Sequence, residues 1–305
     1  MTSSGAVTFD EIRDALKRSG YLLEARIEKR LLGRGYLAEA NSAYVDPESG
    51  KSREIDISAI GARKAGPDDF DWLFPVLLIE CVNNPQPIAF ITKAPVVPFL
   101  HSAEVRCSGL PVKIRDVESN TWKSLVDYLG VEKYHHYCKG RVATQYCSFL
   151  KKKGTSEWMA LHDETHFASI STLGNALEHA MDDHYRSWHP GRKEWINVQV
   201  YYPILVVQGD LVDVRQTGEA IRLHRASHVS FRRTVVRGGE ETTYQVDVVT
   251  EKYFPRLVSA IDQEVAKMSR LLRRRSKEVR RSIDHITRRL QRLRSGNKIR
   301  KELEF

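Results

Sequence analysis

The chain holds few of the residues that cross-link or anchor proteins. Its four cysteines, Cys81, Cys107, Cys138 and Cys147, are widely spaced with no CxxC pair. A zinc knuckle, a redox dithiol and a disulfide scaffold are therefore excluded, and reduced thiols are expected. Long hydrophobic runs are also missing: PVLLIECV and YYPILVVQ fall far short of the roughly 18 to 20 residues that cross a bilayer. No membrane partner is expected. The opening residues MTSSGAV show no basic region, apolar stretch and cleavage site, so nothing marks the chain for export and a cytoplasmic location is the expectation. There is no glycine-rich phosphate loop of the P-loop or dinucleotide-binding kind, and no GxSxG elbow, which leaves NTPase, dinucleotide and serine-hydrolase chemistry without support.

What is present is enough hydrophobic content, 41% of 305 residues, to bury a sizeable core in one large domain or two smaller ones. Charge is unevenly placed. From Lys267 to Lys301 there are 15 Lys and Arg against Glu278 and Asp284, a surplus of 13, so with a net charge of +9 the other 270 residues carry 9 − 13 = −4. A basic tail on a mildly acidic body points to a polyanion, most simply nucleic acid, because each neutralised phosphate releases counterions. The bland alternative is a solvated helix that aids solubility.

Along the chain, Thr8-Phe9-Asp10-Glu11 has the form of a capping box that starts a helix. A second helix is predicted from about Tyr21 to Leu32, with Leu23, Ile27 and Leu31 on one stripe and Gly33 and Gly35 ending it. Glu24 lies at the edge of that stripe, roughly 20° from Leu31 at about 100° per residue. Two strands follow, Tyr36 to Val45 and Ser52 to Ile60, joined by Asp46-Pro47-Glu48-Ser49-Gly50. The second alternates: Ile55, Ile57 and Ala59 on one side, Glu54, Asp56 and Ser58 on the other. The run Pro75 to Val82 reads as a central strand with Glu80 near its end, where a carboxylate is costly unless compensated. Tyr134 to Leu150 reads as helical or mixed, Ser169 to Tyr185 as helix, and the stretch beyond Trp195 as β-rich: Val198 to Val207, Leu211 to Val214, His228 to Val236 and Thr243 to Thr250, with turns at Gln208-Gly209-Asp210 and Gly238-Gly239.

A last helix is predicted from about Tyr253 to Arg294. Ile261, Val265, Met268, Leu272, Val279, Ile283, Ile286, Leu290 and Leu293 form its seam, with a stutter between Val279 and Ile283. The seam can pair with a second copy, making a homodimer, or dock on the chain's own body; the spacing favours pairing. Arg273, Arg274, Arg275, Lys277, Arg280, Arg281, Arg288 and Arg289 are the expected nucleic-acid contacts. The histidines carry less. His162 and His166 are four apart but do not form HExxH, and His135-His136 and the group Glu178, His179, Asp183, His184 lack ligand spacing.

Glu24, Asp56 and Glu80 are therefore carboxylates that a helix, a strand and a return strand can bring to one point, a donor set suited to Mg²⁺ or Mn²⁺. The segments Gly20-Tyr21-Leu22-Leu23-Glu24, Asp46 to Ile57, and Leu78-Ile79-Glu80-Cys81, over roughly residues 10 to 92, resemble the PD-(D/E)xK nuclease superfamily with its restriction-endonuclease-like fold. The resemblance implies that Glu24, Asp56 and Glu80 bind the metal. It implies a Mg-dependent endodeoxyribonuclease in a bacterial defence or DNA-processing setting, and Gln145-Tyr146 weakly matches a glutamine-tyrosine pair found on a helix in related enzymes. The family's lysine belongs two residues after the second strand acid, and Val82 stands there. Losing such an electrostatic contact costs about 10²- to 10³-fold in rate. Lys93 is the best substitute; Lys51 also offers an ammonium, and Asn83, Asn84 or Gln86 a neutral polar group.

The expected architecture is then α/β: a restriction-endonuclease-like mixed sheet flanked by helices over residues 1–150, a β-rich continuation over 151–255, and a basic coiled-coil-like helix over 256–305. The expected function is metal-dependent hydrolysis of DNA phosphodiesters. The alternative is an inactive nuclease fold that grips nucleic acid or a protein partner.

Overall fold

The protein is described from a computed structural model, which defines residues 7–94, 102–161, 164–187, 194–237 and 240–290. Thr8 caps α1 (Phe9–Arg18) through the reciprocal capping box with Glu11, as the sequence dictates. Helix α2 (Tyr21–Leu32) buries Leu23, Ile27 and Leu31. Then come β1 (Leu37–Val45), β2 (Ser52–Ile60), the short β3 (Arg63–Lys64), β4 (Trp72–Val82) and β5 (Ile88–Lys93). Three short strands, β6 (Arg106–Leu110), β7 (Lys113–Arg115) and β8 (Trp122–Ser124), lead into α3 (Leu125–Tyr128). The chain continues through β9 (Val142–Lys151), β10 (Trp158–Leu161) and the long helix α4 (Glu164–Ser187). The last third holds β11 (Asn197–Val207), β12 (Leu211–Thr217), β13 (Ala220–Ala226), β14 (His228–Arg237), β15 (Glu240–Thr250), α5 (Phe254–Arg274) and α6 (Ser276–Leu290).

This is a mixed α/β protein with a 13-stranded mixed sheet in the order β1-β2-β4-β11-β15-β14-β9-β5-β12-β13, with β3, β6 and β10 attached at its sides. Both central strands are long apolar runs, as buried parallel strands require. β4 and β11 pair in parallel from Trp72 opposite Asn197 to Val82 opposite Val207. Both then turn together. Gln208 N–H donates to the Val82 carbonyl at 3.0 Å, Ile88 N–H to the Asp210 carbonyl at 3.0 Å, and Gly209 N–H to Asn84 Oδ1 at 3.1 Å. Beyond this joint the two strands continue as β5 and β12, again parallel. The β-rich segment thus extends the first sheet, since β11 lies directly beside β4.

The sheet has a hydrophobic cluster on each side. One joins Leu77, Ile79 and Val206 to α2, α5 and α6. The other joins Leu78, Val82, Leu205 and Phe231 to α4. Among the described residues no helix is long and apolar enough to cross a membrane.

Three expectations need correction. The terminal helix is two helices, because the chain leaves helical geometry at Arg275; the described residues end at 290, so Leu293 and Arg294 lie outside them. Its seam is spent on the chain's own body: Ile261, Val265, Met268, Leu272, Val279 and Ile283 all sit in the first cluster. Docking satisfies them, and those side chains are not available to a second copy. Finally, Gln145 and Tyr146 lie on strand β9, paired with Ile91 and Phe90, not on a helix. The strand from Ala220 to Ala226 has no counterpart in the sequence reading; its alternation is limited to Ile221 and Leu223, and both are exposed.

Candidate functional site

β2 pairs with β4 in the register Ile60↔Val76 to Ile57↔Ile79 and no further. The next position of that register sets Asp56 against Glu80. There the side chains replace the ladder: the Asp56 carboxylate accepts the Cys81 N–H at 2.7 Å, and the Glu80 carboxylate accepts from the Asp56 backbone. Each acid is held by the opposite strand's amide. On its other edge β2 also lets go at this point. Ala40 pairs with Ile57 and Ser42 with Ile55, while Asn41, opposite Asp56, goes unpaired with φ of 52°, a left-handed conformation that asparagine tolerates.

The kink changes the strand's faces. Ile57 and Ala59 lie in the first cluster but Ile55 in the second, so the unbroken alternation expected for Ile55, Ile57 and Ala59 is wrong. A ladder released on both sides can rotate, and here it does so at the acid.

Glu24 arrives from the first turn of α2. It is placed there by Gly20: a Cβ at that glycine would sit 3.3 Å from Glu24 Oε1 and 3.6 Å from the Cys81 carbonyl. The three acids feel one another. Burial and the Asp56 charge raise Glu24, burial raises Asp56 against the Cys81 hydrogen bond, and burial together with the charges of Asp56 and Glu24 pushes Glu80 up to about 8. Ser169 of α4 donates to Glu80 and only partly offsets this. Glu80 is buried while Glu24 and Asp56 are half-exposed.

Among the described residues no cation acts on Glu24 or Asp56. Val82 packs into the second apolar cluster, Lys93 ends β5 opposite Val142, and both Lys93 and Lys51 are exposed. Arg26, on the same helix as Glu24, is held by Glu251 through Nε at 2.8 Å and Nη2 at 2.9 Å.

A second polar cluster is not legible from spacing. His136 Nδ1 lies 3.0 Å from both oxygens of Glu264, its Nε2 is 2.9 Å from Asp247 Oδ2, and His228 Nε2 is 2.7 Å from Asp247 Oδ1. Among the described residues, His135, His136 and Glu264 are the group whose donor atoms all fall within 4.8 Å of one another; Glu24, Asp56 and Glu80 are spread more widely. Yet the hydrogen bonds favour an ion-pair network over a metal centre. His135 Nδ1 accepts the Tyr137 N–H at 3.2 Å, so its proton is on Nε2, facing Glu264 Oε2 at 3.5 Å, and that nitrogen has no lone pair for a metal. His136 uses both ring nitrogens on carboxylates, which push it up to about 10 despite burial, and Asp247 is correspondingly lowered.

The basic helices divide their cations. Arg280 is turned inward onto Asp68 and Asp71, with Nη2 2.6 Å from both Asp71 oxygens, and Arg275 Nη1 donates to the Tyr128 carbonyl at 2.7 Å while its guanidinium covers the Tyr128 ring. The sequence assigns both to phosphate; their first partners are intramolecular. Arg273, Arg274, Lys277, Arg281, Arg288 and Arg289 are exposed. Gln145 and Tyr146 line a cavity of about 660 Å³ with Phe167, Phe231, Arg232 and Arg233. His162 lies outside the described residues, and His166 lies on α4.

Compared with known proteins, the chain matches no protein-family model, no curated protein and no solved structure.

Proposed function

We propose that the chain is a restriction-endonuclease-like, metal-dependent phosphodiesterase acting on DNA, with Glu24, Asp56 and Glu80 as its acids. The observation that carries this reading is the fork at Asp56 and Glu80, where two strands stop pairing and each carboxylate is fixed by the other strand's amide. Strands that merely continued a sheet have no reason to exchange ladder bonds for two carboxylates, and the burial and repulsion that raise Glu80 are offset by a divalent cation.

The donor set fits. All three groups offer hard oxygen ligands, and Mg²⁺ keeps several waters while taking one or two carboxylates directly, which suits acids that are near but not clustered within 4.8 Å. When bound, the ion supplies a nucleophile at neutral pH and charge stabilisation for an in-line displacement. The chain's own residues do the rest: Asp56 and Glu80 stay oriented through the amides of Cys81 and Asp56, Glu24 adds negative charge from α2, and the outward arginines of α5 and α6 hold the backbone without reading sequence.

A second reading is favoured by one specific observation. Val82 is an apolar plug where an ammonium would stand, and among the described residues no cation acts on Glu24 or Asp56. On that reading the fold grips DNA or a protein partner without cutting. One assay separates them. Wild type, Asp56→Ala, Glu80→Ala and Val82→Lys are incubated with plasmid and linear DNA in Mg²⁺ and in Mn²⁺. The nuclease reading expects wild-type cleavage lost in both alanine variants and raised by Val82→Lys. Cleavage by neither wild type nor Val82→Lys, with DNA still bound, selects the gripping protein; cleavage that survives both alanine changes removes the acids from the site.

A further inference from the structure

Away from α2, β2 and β4, the strands after the joint enclose a cavity of about 380 Å³ lined by Lys139, Arg141, Arg215, Arg225, His224 and His228, with Asp213 as its one acid. With the histidines neutral, its four cations against one carboxylate leave a formal surplus of 4 − 1 = 3. That surplus is larger than the one acid can neutralise.

Two of the cations are fixed in advance. Arg141 donates from Nε to Thr92 Oγ1 at 2.7 Å and from Nη2 to the Thr92 carbonyl at 2.6 Å. Thr92 Oγ1 in turn donates to Asp213 Oδ1 at 2.5 Å. Arg215 grips Asp213 Oδ2 through Nε and Nη2, both at 2.7 Å. The Thr92–Asp213 pair is buried, so it works as a bracket that holds two guanidinium groups at the wall. Lys139, His224 and Arg225 are exposed at the rim. His228, in the wall, is oriented from behind by the fully buried Asp247. The buried Asp213 carboxylate behind the two guanidinium groups is spent on orientation, since guanidinium planes held in place match phosphate oxygens in pairs.

We infer that this cavity binds a phosphate group carried by a small molecule of nucleotide size. Its volume is that of a small-ligand site and too confined for a duplex, whose phosphates are better met by the exposed arginines of α5 and α6. The same chemistry is offered by the terminal phosphate of a nucleic-acid strand, and the experiment separates the two sources. The inference does not depend on the nuclease reading, because no wall residue lies on an element that carries Glu24, Asp56 or Glu80.

The test is isothermal titration calorimetry on the full chain with inorganic pyrophosphate, AMP, and a short single strand with and without a 5′-phosphate. Saturable binding of pyrophosphate and AMP is expected, weakened at least tenfold by Arg225→Glu and by Lys139→Ala, which are rim changes that leave the bracket intact. Lys151→Glu removes an exposed cation at the end of β9, outside the wall, and should bind as wild type does; Asp56→Ala should as well. If only the 5′-phosphorylated strand binds, and Arg225→Glu abolishes it, the phosphate comes from a strand end and the small-molecule source is rejected. Absence of binding by every probe, or equal weakening by Lys151→Glu and Arg225→Glu, overturns the site.

Discussion

Glu80 holds its proton to about pH 8, whereas an unfolded glutamate releases it near 4.5. Between those values the folded chain binds more protons than the unfolded one, so stability falls as pH rises through that window. A divalent cation reverses the trend by compensating the ionised acid. Melting curves from pH 5 to 9 should therefore show a declining Tm that Mg²⁺ or Mn²⁺ partly restores in wild type. Glu80→Gln should make the decline shallower and abolish the metal response; a variant with unchanged slope would place the titration elsewhere. His136 adds a second slope of the same sign, as its charge, held up to about 10 by Asp247 and Glu264, stabilises the fold fully below the ordinary histidine range and is lost as pH rises through 10. Asp247 acts oppositely, its contribution fading as acid protonates it below the usual carboxylate range. Glu264→Ala strands a buried imidazolium on one side and should cost about 3 to 5 kcal/mol in denaturant unfolding.

The helices α5 and α6 decide what truncation means. Met268, Leu272, Val279 and Ile283 are core residues, and deleting residues 267–305 removes them along with the arginines, so that deletion tests folding and not DNA affinity. Point changes separate the roles. Leu272→Ala should cost about 2 to 5 kcal/mol, read by urea unfolding. Arg273→Gln with Arg274→Gln and Arg281→Gln should leave stability within about 0.5 kcal/mol while lowering DNA binding and the steepness of its salt dependence. Arg280→Ala should behave like the core change instead, since Asp71 is fully buried beneath it. These differences are invisible in a run of like charges. The capping box marks α1, and apolar spacing marks α2 and the strand Ser52–Ile60, though not that strand's change of face at Asp56. Spacing cannot say whether a seam meets a neighbour in the same chain, or which arginine finds an aspartate 209 positions away.

For the whole molecule, sequence order hides the most important adjacency, β4 beside β11. Parallel pairing joins segments separated by a long crossover, so residues 1–150 lack both the central partner of β4 and the helices α5 and α6 that pack over Leu77 and Ile79. An isolated 1–150 fragment should remain unfolded by circular dichroism, and the full chain should unfold in one transition. The convergence of Glu24, Asp56 and Glu80 is legible because a helix, two strands and their turn lie within one local stretch. The cavity at Arg141 and Asp213 was not, because its wall is assembled from β5, β12, β13, β14 and the turn before β9, none of which carries a recognisable spacing. His136, Asp247 and Glu264 escaped for the same reason.

The joint after β4 and β11 has a mechanical consequence. A Cβ on Gly209 would fall 2.4 Å from the Asn84 carbonyl oxygen, so the two turns touch backbone to backbone with no room to slide. The acid fork ends just before this weld and the cationic cavity begins beyond it. The acid fork and the cationic cavity are thereby fixed against one another by a rivet of main chain, and replacing Gly209 with alanine is the smallest change that would loosen both at once.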